Sequence, residues 1–78
     1  MWYNLKNTPD GYRMAKFDFL FNVDAVYEIQ HRRGRLYCDC EQGRKSPTCR
    51  HRTMVSIFCS RGVVDHYAFY NYDTGEWC

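Results

Sequence analysis

The chain has no apolar run long enough to cross a membrane, and none behind Met1 that could serve as a signal peptide. It holds five glycines and two prolines in 78 residues, and no glycine-rich phosphate loop is built from them. No serine-centred catalytic arrangement can be assembled, and no repeat, low-complexity segment or linker breaks the sequence. The net charge is only +2, low for a dedicated nucleic-acid binder. These absences predict one domain over residues 1–78, cytoplasmic, with no membrane partner, no small-molecule substrate and no enzymatic activity.

What is present is cysteine, five of them, an odd number. In a reducing interior, clustered cysteines bind metal more often than they pair as disulfides. Three fall close together with a histidine: Cys38 and Cys40, then Cys49 and His51, four candidate ligands in fourteen residues. Each pair has one residue between its members. If Leu36 to Cys40 is extended, both thiols of the first pair aim to one side. Two tight pairs held by a short loop can close a tetrahedron around one Zn²⁺ from three thiolates and one imidazole. A closed site of this kind is structural, with no open position for water or substrate. The second ring nitrogen of His51 is then expected to donate to a carbonyl, a carboxylate or water. A metal also suits the length of the chain, since a domain this small is often marginal without a staple.

The patterning around these pairs predicts an α+β domain, with about four antiparallel strands and one helix. Asn7 to Gly11 reads as a turn. Tyr12 to Phe17, Ala25 to His31, Arg35 to Cys40 and Val63 to Tyr72 read as strands, and Glu76 to Cys78 as a short last one. Tyr27 and Ile29 share a strand face. Arg32-Arg33-Gly34 is the turn of a hairpin, and Glu41 to Thr48 a loop. From Cys49 to about Cys59 the period becomes helical, with His51, Met54, Val55 and Phe58 on one stripe. Thr48 is the expected N-cap and Gly62 the C-terminal stop.

Cys-x-Cys, a short loop, then Cys-x-His entering an apolar helix resembles the SWIM-type zinc finger. The match covers about residues 25–60. The run Thr48-Cys49-Arg50-His51-Arg52 also resembles small bacteriophage proteins with a SWIM-like core. The resemblance implies a ββα core, with a hairpin carrying the first ligand pair and a helix the second. It also implies a nucleic-acid or protein partner, in the host cytoplasm if the chain is phage-encoded.

Charge is unevenly placed. From His31 to Arg52 there are seven cationic side chains against two acidic ones, a net +5, leaving four against seven elsewhere, a net −3. Arg32, Arg33 and Arg35 at the hairpin tip, with Arg44, Lys45, Arg50 and Arg52 near the metal pairs, are the candidate phosphate contacts for DNA or RNA. The same cations also balance a zinc–trithiolate centre, whose own net charge is −1. The alternative is a protein-interaction module, such as a phage factor docking on a host protein, anchored by aromatics in the flanks. His31 and His66 read as surface or packing residues, Cys59 as a partly buried hydrophobe, and Cys78 as a free thiol.

Overall fold

In a computed structural model, which describes residues 1–40 and 49–78, two strands open the chain. β1 (Trp2–Thr8) and β2 (Gly11–Phe17) pair antiparallel from Trp2 with Phe17 to Thr8 with Gly11, leaving Pro9-Asp10 as the connection. Gly11 is required by close approach: a Cβ there would overlap the Ile29 carbonyl oxygen and lie 2.9 Å from the His31 nitrogen. β3 (Val23–Arg32) lies on the other side of β2, and β4 (Arg35–Cys38) pairs with β3. The turn between them places Arg33 at φ 50° and Gly34 at φ 77°, the two positive values of a type I′ hairpin.

Helix α1 (Arg50–Arg61) follows, then the short strands β5 (Tyr70–Asn71) and β6 (Glu76–Trp77). The sheet runs β4-β3-β2-β1-β5-β6 with every pairing antiparallel. The class is α+β as the patterning predicts, with six strands rather than about four. Leu5, Met14 and Tyr27 stand opposite one another across three strands. Tyr3, Leu5, Met14, Ile29 and Cys38 from the sheet form one core with Met54, Val55 and Phe58 of the helix. Full burial of such side chains contributes about 1.5–3 kcal/mol each. The buried residues of the helix are His51, Met54, Val55 and Phe58, the stripe read from the sequence. Gly62 ends the helix at φ 70°, and its N–H turns back to the Phe58 and Cys59 carbonyls.

One strand lies outside the expected set, and two expectations need correction. Residues 2–8 form β1, which the sequence hides because Asn is a poor strand former. Asn4 is tolerated there because its buried amide donates to the His66 and Ala68 carbonyls at 2.9 and 3.0 Å. Conversely, Val63 to Tyr72 is a strand only at Tyr70–Asn71. Ahead of it, Asp65 sits at φ 68° and takes both the backbone and side-chain N–H groups of Asn7 on its carboxylate. These side-chain bonds take the place of a strand ladder. Finally, the cap residue of α1 is Cys49, extended at φ −145° and ψ 158° with no side-chain capping bond. Thr48 and the rest of the Glu41–Thr48 loop lie outside the described residues.

Candidate metal centre

The sheet and the helix converge on one point. β4 ends at Cys38, and the chain stays pinned to β3 for one residue more. The Asp39 N–H donates to the Glu28 carbonyl at 3.1 Å, and Asp39 Oδ1 accepts the Glu28 N–H at 3.1 Å. Cys40 follows directly. Cys49 enters the site as the helix cap, and His51 comes from the first turn of α1. The Cys49 carbonyl accepts the Thr53 N–H at 3.3 Å, the first bond of the helix ladder. The helix start and the second ligand pair are therefore one structural unit.

One donor atom from each of Cys38, Cys40, Cys49 and His51 lies within 4.8 Å of all the others. Cys38, Cys49 and His51 are buried, and Cys40 is half-buried. His51 turns Nδ1 toward the Cys38 sulfur, 3.5 Å away. No disulfide joins any two of the five cysteines. Three thiols and an imidazole this close have the donor chemistry of a metal site.

The electrostatics depend on burial. Burial pushes the Cys38 thiol up to about 12, although the Cys40 backbone N–H, which hydrogen-bonds that sulfur, works the other way. Burial also pulls the His51 imidazole down to about 4, helped by the nearby positive charges of Arg50 and Lys16. The ring is neutral at physiological pH, the form that ligates metal. Without a cation, the Cys38 thiol is held as the neutral acid by its burial. A bound cation would favour its thiolate form.

Two aromatic neighbours of His51 were not singled out from the sequence as parts of the site. Tyr27 stacks on the imidazole at 4.1 Å between centroids and 27° between planes. Tyr3 meets it at 5.9 Å, tilted. For Tyr27 a signal is present, because it shares a strand face with Ile29. For Tyr3 there is none, since the sequence hides β1. The second imidazole nitrogen, Nε2, is buried and has no hydrogen-bond partner among the described residues.

The remaining candidate residues are dispersed. Arg32, Arg33 and Arg35 are exposed at the β3–β4 turn, Arg50 is exposed beside the ligands, and Arg52 is half-buried. Arg44 and Lys45 lie outside the described residues. His31 and His66 are both exposed. Cys59 is exposed rather than partly buried, with the Tyr12 hydroxyl 3.7 Å from its sulfur. Cys78 is exposed at the terminus. No helix of the described residues is long and apolar enough to cross a membrane. Comparison of the chain with protein-family models, with curated proteins and with solved structures finds no match.

Proposed function

We propose that the chain is a small, non-enzymatic binding module stapled by one structural Zn²⁺, with the basic β3–β4 turn as its contact surface for nucleic acid. The observation that carries the metal part is the spacing of the donors. A tetrahedral zinc with metal–sulfur near 2.3 Å and metal–nitrogen near 2.0 Å sets a sulfur–nitrogen edge of about 3.5 Å. Cys38 Sγ and His51 Nδ1 stand at 3.5 Å. No two of the four donors are farther apart than 4.8 Å, within about 1 Å of the sulfur–sulfur edge near 3.8 Å that such a site needs. Zinc here would tie the foot of the β3–β4 hairpin to the first turn of α1. With four protein donors it would support the fold and leave no open position for chemistry. A hairpin carrying one pair and a helix carrying the other also supports the SWIM-like reading.

The contact surface rests on the turn. Arg32, Arg33 and Arg35 are exposed, and none of them enters an ion pair among the described residues. Arg33 holds a positive φ of 50°, where glycine or asparagine is favoured and other residues cost on the order of 1 kcal/mol or more. A cation kept at a strained position supports a use for its charge. Replacing all three arginines by alanine should leave metal content and melting nearly unchanged, since each such surface change costs within about 0.5 kcal/mol. Binding to fluorescent single-stranded DNA or RNA should weaken, and its salt dependence should flatten by about one unit for each phosphate no longer neutralised. Binding equal to wild type at every salt concentration would reduce the tip to a solvated turn.

One observation favours the second reading, a protein-interaction module such as a phage factor docking on a host protein. The β2–β3 connection leaves Phe19 and Leu20 70 % and 82 % exposed. Under either reading the chain works in the cytoplasm.

A further inference from the structure

Alternation along β3 and β4 sorts their side chains between the two faces of the sheet. Ile29 and Cys38 stand opposite each other and enter the core shared with α1. Their neighbours therefore point to the other face, where register sets them in rows about 6.8 Å apart. Arg32 stands opposite Arg35 beside the turn, and Gln30 opposite Tyr37 in the next row. The third row is Glu28 and Asp39, joined by the two bonds already described. Running away from the turn, this face presents two cations, then an aromatic ring beside an amide, then two carboxylates. Tyr37 is 50 % exposed, and no aromatic ring among the described residues packs on it. Tyr37, Gln30, Glu28, Asp39 and Cys38 line one cleft of about 260 Å³, below the roughly 300–1,000 Å³ of a site for a drug-sized ligand. Glu28 already accepts Arg13 at 2.6 Å, whereas Asp39 forms no ion pair among the described residues.

We infer that this face holds one unpaired nucleotide of a single strand, its phosphate on Arg32 and Arg35, its base stacked on Tyr37 and its amino group toward Asp39. The inference rests on reading the turn as a nucleic-acid contact, and it narrows that reading to single strands and to amino-bearing bases. The order of the rows carries it. A nucleotide has an anionic end, a flat ring and a polar edge in the same sequence. Guanidinium groups suit phosphate oxygens, and an open phenol ring is a stacking platform worth about as much as a strong base contact. The faces of a base inside a duplex are covered by its neighbours, so only an unpaired base can lie on a ring in a sheet. The acidic row sets direction. A phosphate is repelled from Asp39 and drawn to the arginines. At the base edge, a carboxylate accepts the cytosine or adenine amino group, while thymine and uracil present a carbonyl oxygen there, acceptor against acceptor. The Gln30 amide, both donor and acceptor, completes the edge contact without choosing between bases.

Fluorescence anisotropy of the intact zinc-loaded chain with labelled DNA strands of about eight nucleotides, within the usual site size, tests this. An all-deoxycytidine strand should bind at least about fivefold tighter than an all-thymidine strand, and a mixed-sequence single strand tighter than its duplex. Tyr37→Ala should weaken single-strand binding about tenfold and leave the salt slope unchanged, because no phosphate contact is lost. Tyr37→Phe keeps the ring and should bind like wild type. Asp39→Asn should narrow the preference for deoxycytidine over thymidine. Both positions adjoin Cys38, so zinc content is checked in each variant. Should a variant lose zinc, magnetization transfer between base protons and the Tyr37 ring in the wild-type complex gives the answer without mutation. A zinc-loaded Tyr37→Ala that binds single strands as tightly as wild type overturns the inference. So does a wild type with no preference for single strand over duplex or for deoxycytidine over thymidine, or a wild-type complex without transfer to the Tyr37 ring. In each case the reading of the turn stands if replacing its three arginines still flattens the salt slope, and falls with the inference if it does not.

Discussion

The imidazole of His51 lies against the phenol ring of Tyr27, 4.1 Å between centroids and 27° from parallel. Tyr27 is on β3 and His51 is in the first turn of α1, so this contact joins sheet to helix beside the candidate ligands. With Nε2 lacking a partner among the described residues, ring packing is the interaction that aims Nδ1 at Cys38. Positioning a ligand in this way usually falls to a hydrogen bond to its second nitrogen. Tyr27→Ala is therefore expected to weaken zinc binding by about 10- to 100-fold, the range seen when a partner orienting a ligand is removed. Competition against a chromogenic chelator measures this. Unchanged affinity would mean that the helix backbone alone sets the ring.

The metal-free and zinc-loaded chains should differ in how stability responds to pH between 6.5 and 9. His51 falls from 6.5 to about 4 on metal-free folding. Its contribution is complete above 6.5 and is lost as pH drops through that window. Cys38 rises from 9.0 to about 12. Its neutral thiol favours the fold below 9, and that contribution is lost as pH climbs toward 12. Between 6.5 and 9 these two groups leave metal-free stability flat. Zinc must displace the thiol protons, so holo stability should rise with pH across the same interval. Melts with and without chelator at pH 6.5, 7.5 and 8.5 test this. Parallel curves would contradict a thiolate metal site.

Arg33→Asn should separate stability from binding. Asparagine accepts the positive φ of this turn more readily, so the melt should rise by roughly 0.5–1 kcal/mol. Binding through the tip should weaken because one cation is gone. A variant that is neither more stable nor weaker in binding would remove the argument from strain.

Gly11→Ala tests the packing of the turn against β3. The added methyl would meet backbone atoms of Ile29 and His31, which cannot rotate aside as a side chain can. A loss of more than about 1 kcal/mol is expected, from overpacking. A melt within about 0.5 kcal/mol of wild type, the range of a neutral surface change, would show that β2 and β3 can separate there.

Where side chains repeat with a period, the sequence was legible. The buried stripe of α1, the positive-φ stop at Gly62, the Arg33-Gly34 turn and the clustering of Cys38, Cys40, Cys49 and His51 could all be read from spacing. What escaped was set by long-range side-chain bonds. Asn4 sits buried in β1 because carbonyls more than sixty residues away accept its amide, and no local pattern announces them. Asp65 breaks an apparent strand by capturing Asn7. The stacking of Tyr27 on His51 required knowing which face of β3 the helix would cover.

Metal content tests the central claim most directly. Native mass spectrometry of freshly purified protein, kept under reductant, should show one zinc per 9.4 kDa chain. Cys49→Ser should lose that zinc and much of its cooperative melt, because binding and folding are coupled at such sites. A wild-type chain carrying no metal, with a disulfide between any two of Cys38, Cys40 and Cys49, would contradict the account.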